Sequence, residues 1–359
     1  MSDDNFLNLK FLQNLVNTPS PTGAEEPAQK LFREYLKDVA DEFHTDVLGN
    51  VDAILNPNGT PKIMLMAHID EVGLQVRYIS DKGFIYFNQL GGLDAHLLPS
   101  KRVTIITKSG AHILGVIGKK AIHLQEPDER KKVIKLKDQY IDIGARSREE
   151  VEKLGINIGD PVVFKDKFSY LGNNGDIVSR CFDDKVGVFI IAEVLRHLKQ
   201  ESISAAIHAV SSVQEEIGTR GAIVSSFHVN PDVGIAFDVT HTSDTPDVKE
   251  VNIGIKKLGE GPVVVRGPNI NPKLFSLMVN TAEELEIPLQ ISAASRPTGT
   301  DARSIQMTRN GVATGLIGIP NRFMHSMSEI VNLKDVEAIV QLTVAVIKKI
   351  TNTTSFIPE

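Results

Sequence analysis

The chain has 359 residues and a formal net charge of −6 at pH 7. That length suits one large domain with a smaller one, and the charge gives no basic footprint for a nucleic-acid partner. Cys181 is the only cysteine, which excludes an intramolecular disulfide and fits a reducing compartment. No stretch reaches the roughly 18 apolar residues of a membrane span. The opening MSDDNFLNLKFLQNLV has neither a basic n-region nor a long apolar run, so the sequence predicts a cytoplasmic protein without a signal peptide or a membrane partner.

In chain order, NFLNLKFLQNLV spaces Phe6, Leu7, Leu9, Phe11, Leu12 and Leu15 at helical intervals until TPSPTG breaks the pattern. AEEPAQKLFREYLKDV reads as a second amphipathic helix. KIMLMAHID is a near-continuous apolar run of strand length, the mark of a strand covered on both faces. From Val186 onward helices and strands alternate: VGVFIIAEVLRHL, AAIHAVSSVQ, VGIAFDVT, KLFSLMVNTAEELE, LQISAA, a helix beginning near Asp301, ATGLIGI and a last helix from about Lys334. The alternation predicts a doubly wound, mostly parallel α/β sheet. Between about Glu71 and Ser169 the pattern changes to short β-type pieces (GFIYF, RVTIIT, HILGVIG, YIDIGA, PVVF) with one helical candidate, SREEVEKLG. Residues 71–169 therefore read as a small β-rich module inserted into an α/β domain made of residues 1–70 and 170–359.

Five places set metal-binding side chains at the ends of apolar runs: His68 and Asp70, Asp183 and Asp184, Glu215 and Glu216, Asp238, and His325. In doubly wound sheets ligands bind beyond the carboxyl ends of the strands. Each place has an ordinary explanation too. H-x-D spacings arise by accident, the Asp pair before Lys185 could cap a helix, and Asp238 could start a turn. Their joint occurrence favours a dinuclear site for zinc, cobalt or manganese, with one carboxylate bridging two ions. Such a site also explains the adjacent Glu215 and Glu216. One can bind metal while its neighbour stays off the metal as a general base for water. A glycosidase carboxylate pair would leave both histidines without a role.

AHIDEVG, FDDKVG, QEEIGTRGA, AFDVT, TGTDA and MHSMSE, with GGLD and YIDIGA in the middle module, resemble in order and spacing the metallopeptidase family M42. The resemblance implies a cytosolic dinuclear aminopeptidase acting on short peptides, with two divalent ions per subunit, zinc first and cobalt or manganese as alternatives. It implies that His68 and Asp238 hold one ion, Glu216 and His325 the other, and Asp183 bridges both. Asp183 is chosen over Asp184 because the family's bridging acid lies two before the Lys or Arg of its D-D-[KR] motif. Glu215 would be the general base, Asp70 would orient His68, and the Asp–Asp peptide would be cis. The inserted module would be a dimerisation domain in a dodecamer of six dimers. Another dinuclear amidohydrolase, such as a deacylase or carboxypeptidase, is the nearest alternative, and a non-catalytic assembly subunit the more distant one. Two segments depart from the family pattern, SRPTGTDA at Arg296 and LGEGP at Glu260. Both are expected to border the pocket for the first substrate residue, with Glu260 favouring a neutral or basic residue over an acidic one.

Overall fold

The computed structural model describes residues 6–358. Asn5, the first residue of the predicted N-terminal helix, lies outside them. The helix itself runs Leu9–Asn17, because the Asn8 side chain accepts the amide of Phe11 at 3.2 Å and so caps it there.

Eight strands form the main sheet, in the order Glu42–Thr45, Val51–Leu55, Ala206–Ser212, Lys62–His68, Val233–His241, Ala313–Asn321, Val263–Arg266 and Gln290–Ala293. The four central strands from Ala206–Ser212 to Ala313–Asn321 are parallel to one another, and antiparallel pairings occur towards the edges. Successive side chains of a strand point to opposite faces. In Lys62–His68, Ile63, Leu65 and Ala67 enter one apolar cluster, with side chains of helices Phe182–Leu198 and Leu333–Lys349. Met64 and Met66 enter another, with Ala222 and Val229 of helix Arg220–Val229 and Ile305 of helix Ala302–Gln306. Both faces are covered, which is why the run reads as continuously apolar. This is the doubly wound, mostly parallel α/β sheet expected from the sequence. The strands Glu42–Thr45, Val51–Leu55 and Val263–Arg266 are additions to that reading.

In chain order, strand Lys62–His68 is followed by a closed antiparallel barrel. Its strands, in order, are Gly73–Ile79, Ile85–Leu90, Tyr140–Asp142, His112–Ile117, Arg102–Ile106 and Pro161–Phe164. It has its own core, including Leu74, Phe87, Val103, Ile141 and Val162. Helix Arg148–Lys153 begins at Ser147, whose hydroxyl accepts the amide of Glu150. The barrel leaves Leu114, Val116, Ile122 and Leu124 exposed. A third, three-stranded sheet joins Ser169–Leu171, Asp176–Ser179 and Glu329–Asn332. No helix among the described residues is long and apolar enough to cross a membrane.

Candidate active site

Helix Phe182–Leu198 is buried from Phe182 through Leu195, and that stretch includes Asp183, Asp184, Lys185 and Glu193. Charges in such a place need partners, and for the two aspartates these come from the ends of neighbouring strands. His68 closes its strand in register with Ser212 of the next, and the amide of Ile69 donates to the Ser212 carbonyl. The turns that follow the two strands therefore leave the sheet side by side, one carrying Asp70, the other Glu215 and Glu216. Asp238 lies in the adjoining strand Val233–His241. His325, at φ 58°, sits in the loop after Ala313–Asn321. Asp183 opens the buried helix at a cis peptide bond to Asp184. Six of these residues line one pocket of about 500 Å³: His68, Asp183, Glu215, Glu216, Asp238 and His325. Asp70 lies fully buried behind it.

The donor atoms converge in two groups, one of His68, Asp183 and Asp238, the other of Asp183, Glu216 and His325, each within 4.8 Å. Asp183 belongs to both. Its Oδ1 lies 3.1 Å from Nε2 of His68 and its Oδ2 lies 3.1 Å from Nε2 of His325. The Nδ1 of His68 faces the Asp70 carbonyl at 3.1 Å, and that of His325 faces the Gly92 carbonyl at 2.7 Å. A carbonyl oxygen only accepts, so each Nδ1 carries the proton and each Nε2 turns toward carboxylate oxygens. An imidazole nitrogen and a carboxylate oxygen turned on one another need either a proton or a cation between them. That need, the imidazole and carboxylate donor set, and the buried, unpartnered Oε1 of Glu216 fit divalent cations of the zinc class.

Charge within the site follows the same logic. Burial would raise the Asp183 carboxyl, but hydrogen bonds from His325 and His68 hold it below the usual carboxylate range. The Asp183 contact, against the opposing effect of burial, lifts His325 to about 10. For His68 burial works downward, and the hydrogen bond to Asp183 with the nearby carboxylates of Asp70 and Glu215 outweighs it. Burial first, then neighbouring carboxylates, raises Asp184 and Asp238 well above the ordinary value. Burial likewise lifts Glu215 to about 7 and Glu216 to about 8, with the His68 imidazole opposing. Without cations the cluster balances itself by keeping protons; bound cations invert that preference.

Asp70 is joined by several supporting residues that the sequence reading did not single out. The Asp70 carboxylate stands 3.5 Å from Nδ1 of His68, too far for a good hydrogen bond. It instead accepts the amides of Glu215 at 2.9 Å and Glu216 at 3.3 Å and the Thr22 hydroxyl at 2.8 Å. Asp70 thus orients His68 through its backbone and the two glutamates through its side chain. Glu329, the last residue of FMHSMSE, accepts the amide of Asp183 at 2.9 Å and that of His325 at 3.0 Å. Pairing of Glu329 with Ser179 in the three-stranded sheet brings it there. Glu71 joins Arg180, Lys185 and the amide of Ser20 behind the site. The GGLD loop of the insert also enters the pocket. Gly91, at φ 75°, sits where a side chain would meet Val72 at 2.8 Å and Glu216 at 3.0 Å, which favours glycine, and a side chain on Gly92 would crowd His325 at 3.1 Å.

The sequence matches the family model of M42 glutamyl aminopeptidases over residues 49–342. The chain belongs to the M42 family. It is 37% identical over 343 residues to a lysyl aminopeptidase of Pyrococcus furiosus, covering 95% of this chain and 97% of that one. To the glutamyl aminopeptidase of Lactococcus lactis it is 28% identical, covering 89% and 90%. Among solved structures, a TET aminopeptidase of the marine sediment archaeon Thaumarchaeota archaeon SCGC AB-539-E09 superposes with a TM-score of 0.91 at 35% identity, covering 96% of each chain. The TET1 peptidase of Pyrococcus horikoshii, which can assemble into a tetrahedron or a large octahedral shell, gives 0.83 at 31% identity, covering 95% and 99%. This M42 chain is accordingly a hydrolase of the aminopeptidase class.

Of the two departures from the M42 pattern, one borders the pocket. Gly299 and Thr300 of SRPTGTDA line it, with Arg303 just beyond, while Arg296 is exposed and not among the lining residues. Glu260 does not line it. It is exposed on a loop whose neighbouring amides, Gly259 and Gly261, bind the Asp335 carboxylate at 2.8 and 2.7 Å. The expectation that Glu260 sets a preference for neutral or basic first residues therefore loses its ground. The family pattern placed LGEGP beside the pocket, but its amides turn toward Asp335.

Proposed function

We propose that this M42 chain is a metal-dependent aminopeptidase that removes the N-terminal residue of short peptides with two divalent ions per subunit. Zinc is the first expectation, with cobalt or manganese as alternatives. The observation that carries the reading is the pair of donor groups sharing Asp183. His68 and Asp238 would hold one ion, Glu216 and His325 the other, and Asp183 both. Bound there, such ions supply Lewis acidity toward a scissile carbonyl and make a water more acidic.

The rest falls to side chains. Glu215 belongs to neither donor group, yet its Oε2 is 3.9 Å from Nε2 of His68 and it lines the same pocket. It is placed to take the proton of the attacking water and to return it to the leaving amine. Asp70 fixes the Glu215 amide and hence the direction of that carboxylate. A free substrate α-amino group is cationic and suits the surrounding acids, which limits cleavage to the first residue.

Residues 1–70 and 170–359 form the catalytic domain in this reading, and residues 71–169 a dimerisation domain. The exposed Leu114, Val116, Ile122 and Leu124 of the barrel support that role. A dodecamer built from dimers is the proposed assembly, supported by the TET relatives, one of them described as a dodecamer. The test is chelation of the protein as isolated, with metal content followed by elemental analysis. Hydrolysis of aminoacyl anilides stops when the metal is removed and returns with zinc, cobalt or manganese. Full activity in verified metal-free protein overturns the proposal.

A further inference from the structure

Beside the active-site pocket lies a second, larger cavity of about 980 Å³. Its walls are two helices: Ile223, Val224 and Phe227 on Arg220–Val229, and Met307 and Arg309 just after Ala302–Gln306. Ile223 is 55% exposed, Phe227 58% and Met307 78%. Apolar side chains exposed together along one groove offer a surface that a ligand can cover. It is also built in advance. Arg309 stacks over the Phe227 ring at 4.0 Å and donates to the Phe227 carbonyl at 2.9 and 2.7 Å. The two helices are tied by Thr219 and Ser304, whose hydroxyls are 2.8 Å apart.

The groove and the active-site pocket share Thr219 and Arg303 in their linings. Thr219 follows the Glu215–Gly218 turn directly, so the groove starts a few residues from the proposed base. Arg303 is exposed at the junction and forms no ion pair among the described residues. A guanidinium there can meet the carbonyl oxygens of an extended chain. We propose that this groove binds the leaving side of the peptide, the residues after the scissile bond, and that it selects apolar side chains there. The inference rests on the aminopeptidase reading for the pocket and adds to it the substrate class: peptides with an apolar tail behind the first residue.

The test compares Leu-Ala-Phe-Phe with Leu-Ala-Glu-Glu, which present the same first bond. On wild-type protein kcat/KM should favour the apolar tail roughly tenfold or more. Calorimetry with the same peptides carrying a reduced first amide bond should show the same ratio in Kd, independently of turnover. In Phe227→Ser, and separately in Met307→Ser, both ratios should fall toward one. Equal Kd and kcat/KM for the two tails on wild type, or ratios that survive both substitutions, overturn the proposal. So does a fall in particle mass on light scattering in both variants, which would assign the groove to contact between copies of the chain. Failure to cleave any aminoacyl anilide in metal-loaded protein counts instead against the aminopeptidase reading, while the Kd comparison still decides the groove.

Discussion

Glu329→Gln probes the least conspicuous part of the site. One carboxylate oxygen accepts the Asp183 amide and the other the His325 amide, at 2.9 and 3.0 Å. Glutamine keeps one oxygen and turns an NH₂ toward the other donor, leaving a buried N–H without an acceptor. Such a loss costs about 1–3 kcal/mol. In the proposed two-ion site, Asp183 and His325 would have to be held together when both donor groups are loaded, so the cost is expected to fall on ion binding. At about 1.4 kcal/mol per tenfold, affinity should drop roughly 5- to 150-fold, in line with the effect of removing groups that orient metal ligands. The assay is a chelator-competition titration with cobalt or zinc, followed by kcat at saturating metal. Affinity should fall while kcat recovers to within a few-fold. Unchanged affinity, or a kcat defect that persists at saturation, would refute the positioning role.

The acid pair should separate cleanly. Glu215→Gln is expected to retain metal by elemental analysis and to lose on the order of 10²–10⁴ in kcat, whereas Glu216→Gln should lose metal first; the reverse pattern means the two roles are exchanged. Light scattering should give a mass many times that of the 39.3 kDa chain. Val116→Asp combined with Leu124→Asp on the barrel should lower it, and an unchanged mass would move the dimer contact elsewhere. The Arg322–Asp244 pair, with Nε and Nη2 at 3.0 and 2.6 Å from the two carboxylate oxygens, holds the Asp244 carboxyl below its usual range against the effect of burial. A depressed folded-state pKa contributes stability above the unfolded value, about 3.9, and loses it as pH falls through the folded value. Arg322→Gln should therefore cost at most about 1 kcal/mol at pH 7, the pair being partly exposed, and nothing once Asp244 is protonated, as read by urea unfolding at both pH values.

What the sequence could disclose followed from local pattern. The apolar run before His68 gave a covered strand because both its faces are buried, and polar residues at strand ends pointed to a site because parallel strands deliver their ends to one edge. Local pattern could not tell Asp183 from Asp184. The family resemblance chose between them, and the geometry displays the difference: Asp183 faces both histidines, while Asp184 accepts the His68 amide at 3.2 Å and turns against Gly187. Glu329 escaped notice because its role depends on pairing with Ser179, 150 residues earlier in the chain. Barrel closure was equally hidden, since each strand is short and Gly73–Ile79 follows the catalytic turn without a break. Glu260 misled because departure from a family pattern does not reveal which way the amides around it turn.

The carbonyl of Gly92 joins the insert to the candidate site. It fixes the tautomer of His325 from the far side of the pocket, while Gly91 beside it leaves room for Glu216. A shift of the barrel against the α/β layers would therefore be felt at His325 and Glu216. A lengthened GGLD loop, or a barrel reseated by a new subunit contact, would shift the imidazole before it altered any surface of the catalytic layers. In the proposed assembly, subunit contacts on the barrel and ion binding at His325 would be linked through this one backbone oxygen.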